Sequence, residues 1–266
     1  MYYMAKITVE KDRTTMINYQ SLSRIIPKSI RGQITRVMPR SLRHQIYKRI
    51  NPAWYMASVG GMWDEIGRHQ FKYLVDEGLT PDSYFLDVGC GSLRGGIHFI
   101  EYLDEGHYYG IDVSKELLDA GRNLVLERHN LTDKHPVLML TGDFDFPLLN
   151  RECDFALAQS VFTHIPVDAI RTCLENMDKV LVDGGKFYAS FRKASEGSDE
   201  GLAYYKTPGG LNSTIYYDPS DYQYRFSTFE KLCVGTGLTA HYVGEWGHPR
   251  GSQMAVFVKG GNRLQA

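Results

Sequence analysis

The sequence lacks the features that would place the chain in a membrane, in a secretory route or around a structural metal. No apolar run approaches the roughly 20 residues that a membrane-spanning helix needs. The first residues, Met-Tyr-Tyr-Met-Ala-Lys, lack the charged-then-apolar order of a secretory signal. Cys90, Cys153, Cys173 and Cys233 form no CxxC pair, and no histidine stands near them at metal-ligand spacing. These absences predict a cytoplasmic protein with reduced thiols and no bound metal.

Acidic residues are absent between Arg13 and Trp63. Residues 1–50 hold eleven Lys or Arg against two acids, a net charge of +9, whereas the chain of 266 residues has a net charge of −1. A basic segment joined to an acidic remainder predicts two parts with different roles. We expect a basic helical arm over residues 1–60 and one large domain over residues 61–266.

The basic arm has a regular apolar pattern. Isoleucine, methionine and leucine recur every four residues from Ile26 to Ile50, with Arg and Lys between them. That spacing predicts short amphipathic helices, which Pro39 must interrupt or separate. Two interpretations stay open. The arm is either a helical cap packed on the domain, or a peripheral contact through residues 22–50 with a membrane surface or another polyanion.

Strand and helix patterns alternate along the rest of the chain. The predicted strands are 84–88, 107–112, 137–140, 155–158, 186–191, 239–244 and 254–258. The predicted helices are 63–75, 95–103, one that Ser114 caps with Leu117, Leu118, Leu124 and Val125 on one face, one from Ile170 to Leu181, and one including 229–233. Strands separated by helices predict an α/β fold with a doubly wound, mostly parallel seven-stranded sheet. Because a loop joins the final two strands, we expect the last strand to be antiparallel.

The strongest motif is Leu86-Asp-Val-Gly-Cys-Gly-Ser-Leu-Arg-Gly-Gly96, in which a strand ends in an acid and a glycine turn leads to a helix. Glycines are needed where the backbone turns tightly and lies against a ligand. Asp112 ends the next predicted strand, where a carboxylate can accept hydrogen bonds from a ribose diol. The charge of Asp87 would repel a pyrophosphate and suits the amino group of a sulfonium cofactor. The pattern therefore favours S-adenosylmethionine over NAD.

From about residue 60 onward, these motifs resemble the class I S-adenosylmethionine-dependent methyltransferase superfamily. Gly142-Asp-Phe144 resembles the pair that holds the adenine, Asp154 to Ser160 the fourth motif, and Leu181 to Gly185 the turn before the fifth strand. The resemblance implies S-adenosylmethionine as the cofactor. It implies these cofactor-binding residues: Asp87, Gly89, Cys90, Gly91, Arg94, Asp112, Val113, Asp143, Phe144 and Gln159.

The chain departs from that family at one position. Leu93 stands where the third glycine of the family's G-x-G-x-G motif often lies, which affects the methionine end of the cofactor rather than its adenosine end. Two stretches, Asp154 to Pro166 and Gly247-His-Pro-Arg250, resemble small bacterial methyltransferases of unassigned substrate most closely.

Two histidines are candidates for the acceptor side of the site. His164 follows the fourth predicted strand, near the transferred methyl group, and is our candidate general base. Its alternative role is to cap the next helix or support the adenosine pocket. His248 and Arg250 lie in the loop between the last two strands, where Arg250 suits a carboxylate or phosphate. The alternative is a turn whose Trp246 and Arg250 only pack and cap, and His248 stays a second candidate base.

Residues 192–226 form a long insertion that contains six tyrosines. Loops of this length inside a compact domain are usually functional or disordered, and tyrosines bury area while keeping a polar tip. We expect a lid over the acceptor pocket in which Tyr204 and Tyr205 bind the acceptor. A small added subdomain or a dimer contact is the alternative, and the sequence leaves the oligomeric state open.

Two motif absences narrow the reaction. Ala158-Gln-Ser160 is not the Asn/Asp-Pro-Pro-aromatic run of amino-methylating nucleic-acid enzymes, and no acid ends the fourth strand to hold magnesium. We therefore expect metal-independent O-methylation of a sugar, glycan or other metabolite hydroxyl, with His164 as the base. The alternatives are an RNA methyltransferase that uses the arm as a clamp, and a non-catalytic regulatory subunit that binds the cofactor.

Overall fold

The computed structural model describes Gln45, Tyr47–Arg49 and residues 51–146, 151–194 and 222–260. The chain divides into two compact units between Trp54 and Tyr55, and the second unit contains the sheet. Most of the predicted basic arm lies outside the described residues. Tyr204 and Tyr205 of the predicted lid also lie outside them.

The second unit is built on one sheet of seven strands. The strands are β1 Phe85–Val88, β2 Tyr108–Asp112, β3 Val137–Leu140, β4 Cys153–Ala158, β5 Leu181–Phe191, β6 Leu238–Glu245 and β7 Gln253–Lys259. Their order across the sheet is β3-β2-β1-β4-β5-β7-β6. Strands β1 to β5 pair in parallel, and β7 is antiparallel to both β5 and β6. The predicted doubly wound, mostly parallel sheet with an antiparallel last strand is confirmed.

Helices flank the sheet, and each of the predicted helices has a counterpart among them. They are α1 Trp54–Ser58, α2 Trp63–Asp76, α3 Gly96–Tyr102, α4 Lys115–Ala120, α5 Glu127–His129, α6 Val167–Val180 and α7 Phe226–Leu232. The helix α1 was not predicted from the sequence. Ser114 caps α4 as predicted, because its hydroxyl accepts the Leu117 N–H at 3.3 Å. In the part of the chain that the structure describes, no helix combines the length and apolarity needed to cross a bilayer.

Two details of the predicted helices are wrong. Leu118 and Val125 are buried, but Leu124 is 39% exposed. Residues Gly121–Leu126 form a π-helix, in which hydrogen bonds run from i to i+5, so the α-helical period no longer predicts the buried face. Leu181 does not belong to the preceding helix, since it begins β5.

An aromatic core fixes the loop that follows β4. Phe162, in that loop, is fully buried, and its ring centroid lies 6.0, 5.7 and 6.3 Å from those of Phe187, Phe229 and Phe257. Full burial of such a side chain stabilises the folded state by about 1.5–3 kcal/mol. The residues on either side of Phe162 are therefore held at the carboxyl edge of the sheet.

Candidate functional site

The glycine loop after β1 is tied to the end of β2. The N–H groups of Gly89 and Cys90 both donate to the carbonyl of Ile111, at 2.8 and 2.9 Å. Gly89 and Gly91 adopt positive φ angles of 74° and 56°, which favour glycine. Cβ atoms added at these two positions would lie 2.6 Å from Val161 and 2.7 Å from Val59. The loop therefore turns as predicted, with one valine against each of its two glycines.

Leu93 keeps the backbone of the glycine that it replaces. Its φ is 72°, and its side chain is fully buried. A Cβ added to Gly96 would lie 2.8 Å from Cδ2 of Leu93, and one added to Gly121 would lie 3.1 Å from its Cγ. The absence of side chains at these two glycines makes room for Leu93, so burial offsets the strain of its left-handed backbone.

Asp112 is oriented by two backbone N–H groups at the end of β2. Its Oδ2 accepts from Gly91 at 2.8 Å, and its Oδ1 accepts from Ser114 at 2.7 Å. Burial raises its pKa, and these N–H groups oppose that shift. Each carboxylate oxygen keeps a further lone pair. The geometry suits a ribose diol, which would donate to both oxygens.

Asp87 is a buried carboxyl at the end of β1. The Tyr108 hydroxyl donates to its Oδ2 at 2.7 Å. Burial raises the pKa of Asp87 to about 7, and the Tyr108 hydrogen bond opposes the shift. A buried carboxyl whose hydrogen bond comes from a neutral hydroxyl gains from an approaching cation. The site therefore fits the ammonium group of the amino-acid end of S-adenosylmethionine.

An open depression lies beside Asp112 at the ends of β2 and β3. It has a volume of about 470 Å³ and is lined by Leu140, Thr141, Gly142, Asp143 and Asp145. Val113 is 74% exposed, and a Cβ on Gly142 would contact it at 3.6 Å. Exposed apolar side chains beside a polar carboxylate suit a flat purine ring.

Phe144 is predicted to contact the adenine, but its side chain packs against the core instead. Its ring centroid lies 6.0 Å from that of Phe146, and the residue is not among those that line the depression. The carboxylate of Asp143 accepts from the Thr141 hydroxyl at 2.7 Å, which turns it toward its own loop.

The predicted cofactor residues Cys90 and Arg94 both face the protein. The Cys90 thiol is buried, and burial raises its pKa well above the ordinary value, so only its backbone is available to a ligand. The Arg94 guanidinium donates to the carbonyls of Val59 at 2.7 Å and Gly61 at 3.2 Å.

Sequence reasoning missed the segment that binds Arg94. Residues 59–62, which we term the strap, lie between α1 and α2, at the predicted boundary between arm and domain. Arg250 donates to the Gly60 carbonyl in the same segment, although it was predicted to bind the acceptor. The Gly60-Gly61 pair ahead of a helix is the one sequence signal that marks this turn.

A second cluster of polar groups lies where β4 meets the β6–β7 loop. Nε2 of Gln159 lies 3.2 Å from Nε2 of His248, and both side chains are buried. The His248 ring stacks on Trp246 with centroids 5.1 Å apart, and His69 of α2 lies 4.6 Å from Trp246. Among the described residues, Oε1 of Gln159 and Nε2 of His69 are buried without a hydrogen-bond partner. Sequence reasoning missed His69, because α2 is distant from β7 in the chain.

His248 has a defined tautomer. Its Nδ1 accepts the Arg250 backbone N–H at 3.2 Å, so the ring proton lies on Nε2. Burial, together with the nearby His69, Arg94 and Arg250, lowers the pKa of His248 to about 4. The ring is therefore neutral at physiological pH and donates from Nε2. Two N–H donors cannot bond to each other, so we exchange the Oε1 and Nε2 positions of the Gln159 amide. Oε1 then accepts the hydrogen bond from His248 Nε2.

His164 lies in the loop after β4, on the same edge of the sheet. Its side chain is half-buried, and its N–H donates to the Val161 carbonyl at 2.9 Å. The neighbouring Thr163 carbonyl accepts the Tyr222 N–H at 2.9 Å, and the Tyr224 hydroxyl donates to the Ile165 carbonyl at 2.7 Å. The end of the tyrosine-rich insertion is therefore anchored on the loop that carries His164.

Comparison with known proteins agrees with this architecture. Residues 86–187 match a family described as a methyltransferase domain. Over 113 residues the chain is 29% identical to the uncharacterized protein MJ0906 of Methanocaldococcus jannaschii, a match that covers 42% of this chain and 29% of that protein. The chain therefore spans less than a third of the length of this relative.

Solved structures share the fold. An S-adenosylmethionine-dependent methyltransferase from Clostridium acetobutylicum has a TM-score of 0.55 at 14% identity, with 84% of this chain and 99% of that chain covered. The glycopeptide N-methyltransferase MtfA, complexed with S-adenosylhomocysteine, has a TM-score of 0.54 at 16% identity, with 77% and 95% covered. In the described residues, no group of three or more His, Cys, Asp or Glu is arranged to hold a metal ion.

Proposed function

We propose that this chain, a class I S-adenosylmethionine-dependent methyltransferase, methylates a hydroxyl oxygen with His164 as the general base. The acceptor that we propose is a sugar, a glycan or another metabolite with a hydroxyl group. The observation that carries the proposal is the buried amide of Gln159 just after β4, whose Oε1 has no hydrogen-bond partner although its Nε2 donates to Ser160 Oγ at 2.9 Å, on the edge of the sheet that also holds His164.

The cofactor supplies a methyl group on positively charged sulfur, which is already a strong electrophile. The protein must therefore mainly bind and orient the two reactants. We assign Asp112 to the ribose diol, Asp87 to the amino group, and Val113 with the adjoining depression to the adenine. These assignments rest on the fixed orientation of Asp112, the burial of Asp87 and the exposure of Val113.

His248 is the weaker of the two candidate bases. Its Nδ1 lone pair is already used by the Arg250 N–H, and its Nε2 carries the proton. A base with a pKa of about 4 also has little tendency to take a proton from a hydroxyl near neutral pH. We assign His248 to positioning Gln159, and this favours His164 for proton removal.

The orientation of Gln159 suggests how the acceptor is held. With Oε1 facing His248, the amide NH₂ occupies the buried position that has no partner. An acceptor hydroxyl could then accept a hydrogen bond from Gln159 while it donates its own proton to His164. We propose that Tyr204 and Tyr205 of the tyrosine-rich insertion also bind the acceptor, since tyrosine combines an apolar ring with a polar tip that suits a sugar.

The experiment is methyl transfer from radiolabelled S-adenosylmethionine to a panel of glycans, sugars and phenols, with RNA as a further candidate. We expect a labelled product that survives mild alkali, since methyl ethers are stable where methyl esters are not. His164→Ala should lose at least a hundredfold in kcat, the usual contribution of a general base, while it binds S-adenosylhomocysteine normally. Unchanged turnover in His164→Ala, or a methyl group found on nitrogen, would overturn the proposal. The exposed His129→Ala is the matched control.

The basic arm supports a separate proposal about partners. Its net charge of +9 suits a peripheral contact of residues 22–50 with an anionic membrane surface. The full chain should float with vesicles that contain anionic lipid, whereas a variant without residues 1–50 should stay at the bottom of the gradient. Equal flotation of the two proteins would exclude this role.

A further inference from the structure

The strap has an unusual backbone. Gly60, Gly61 and Met62 adopt φ angles of 88°, 69° and 49°, so three consecutive residues are in the left-handed region. A glycine accepts this conformation without cost, but Met62 does so only when the surrounding structure holds it there. Some interaction must therefore fix the strap before α2 begins at Trp63.

Two arginines supply that interaction. Arg94, two residues before α3, donates to the carbonyls of Val59 and Gly61 at 2.7 and 3.2 Å. Arg250, in the β6–β7 loop, donates to the carbonyl of Gly60 between them. Three successive carbonyls of the strap thus each accept from a guanidinium group. A planar, always-charged donor fork is well suited to holding several carbonyls at once.

The strap lies directly on the glycine loop. Cγ1 of Val59 lies so close to Gly91 that a Cβ there would approach it to 2.7 Å. The Ser92 hydroxyl donates to the Tyr55 carbonyl at 3.1 Å, which joins the glycine loop to α1, the helix that leads into the strap. The glycine loop must lie against the cofactor, and Asp87 at its start is the group suited to the cofactor's amino group. Arg94, which donates to the strap, is also close enough to Asp87 to interact with it electrostatically, so the strap lies near the proposed amino-acid end of the cofactor.

We propose that the strap is the wall of the cofactor site at the amino-acid end, and that Arg94 and Arg250 are positioning residues that hold it closed. Neither arginine needs to touch the cofactor. Their role is to keep Val59 against the glycine loop, so that a bound amino-acid end is enclosed and leaves slowly. The proposal rests on the methyltransferase assignment and is independent of the identity of the acceptor.

The same contacts link the strap to the acceptor side. The backbone N–H of Arg250 donates to Nδ1 of His248, whose Nε2 lies 3.2 Å from the Gln159 amide. A strap held by the Arg250 guanidinium is thus connected to the backbone that orients His248. Arg250 therefore contributes to both sides of the site: its side chain holds the strap, and its backbone N–H orients His248.

Comparing two ligands distinguishes a role of the strap at the amino-acid end from a general effect of the substitutions on the fold. S-adenosylhomocysteine carries the amino-acid end, whereas 5′-methylthioadenosine has the same adenosine without it. In stopped-flow displacement, Arg250→Gln should release S-adenosylhomocysteine about tenfold faster or more and leave 5′-methylthioadenosine unchanged. Arg250→Lys should be intermediate, because it keeps the charge and loses the planar fork. Arg68→Gln, an exposed arginine on α2, is the matched control.

Each result has a distinct meaning. Equal release of S-adenosylhomocysteine from Arg250→Gln and the wild-type protein would overturn the proposal, as would equal acceleration of both ligands. If the wild-type protein bound neither ligand, the cofactor assignment itself would fail and the strap with it. Arg94 is buried, so Arg94→Gln is interpreted only where its thermal unfolding matches that of the wild-type protein, and Arg250→Gln alone decides the question.

Discussion

Tyr108 donates its hydroxyl hydrogen to the carboxyl group of Asp87 at 2.7 Å, inside the sheet at the point where β1 ends. The pair links a core aromatic side chain to the acid that we assign to the cofactor's amino group. Because Asp87 is buried, its pKa of about 7 falls within the range of physiological pH. Two predictions depend on that value.

Cofactor affinity should increase as the pH rises through 7. Below this pH Asp87 is protonated and cannot pair with an ammonium group, so binding has to release a proton. We expect the Kd of S-adenosylhomocysteine to be about tenfold higher at pH 6 than at pH 8. Isothermal titration calorimetry at both values would measure it, with buffers of different ionisation enthalpy to count protons. Asp87→Asn should bind weakly and lose the pH dependence, whereas a wild-type Kd that stays constant would exclude Asp87 from the ammonium site.

Asp87 should also make the ligand-free protein less stable as the pH rises. Its folded pKa of about 7 lies above the ordinary 3.8, so the folded state holds the proton that the unfolded state releases between these values. The penalty starts near pH 4, grows up to pH 7 and is then constant. Relative to the wild-type protein, Asp87→Asn should gain on the order of 2 to 3 kcal/mol in unfolding free energy between pH 5 and pH 8. Urea denaturation would measure this, and a difference independent of pH would contradict the raised pKa.

Leu93 and Gly121 should be energetically coupled. Gly121→Ala places a Cβ 3.1 Å from Cγ of Leu93 and should cost about 1–2 kcal/mol from overpacking. Leu93→Ala should cost about 2–5 kcal/mol through the cavity that it leaves. In the double variant the alanine at 121 has room, and its better helix propensity should make it neutral or stabilising. Urea denaturation of the four proteins would give the coupling energy, and purely additive costs would show that the two residues do not share this space.

His248 should remain a neutral ring with its proton on Nε2. Burial, with the nearby His69, Arg94 and Arg250, lowers its pKa to about 4, so its ¹⁵N chemical shifts should change little between pH 6 and pH 8. A long-range ¹H–¹⁵N spectrum of ¹⁵N-histidine-labelled protein would show this, with His248→Asn used for assignment. A His248 midpoint near its ordinary 6.5 would restore it as a candidate base.

The sheet could be predicted from the sequence because its parallel strands are short apolar runs bounded by glycines and acids. The predicted 137–140 strand has the same bounds as β3, and Asp112 ends β2 as expected, whereas β1 continues one residue past Asp87, to Val88. Leu124 and Leu181 were misassigned for local reasons. A π-helix changes the period in one case, and in the other the chain passes from α6 into β5 with no intervening loop.

The strap and the His69–Trp246 contact could not be predicted in this way. Arg94 follows a glycine motif, and Arg250 lies in a loop between strands, so both are naturally interpreted as ligand-binding arginines. Their partners are backbone carbonyls, which leave no mark in a sequence. The Gly60–Arg250 contact joins positions 190 residues apart, and only the assembled sheet brings them together.

That separation has a consequence for the order of folding. The glycine loop, Asp87 and Asp112 all emerge from the ribosome long before residue 250, and they belong to strands that pair early in the chain. The Arg250 contact with the strap forms only after the β6–β7 hairpin has joined β5. Contacts between such distant positions are late to form, because closing the long loop costs entropy before any contact repays it. A nascent chain that ends before β6 therefore carries both acids of the cofactor site and Arg94, and it lacks Arg250, the second arginine that holds the strap.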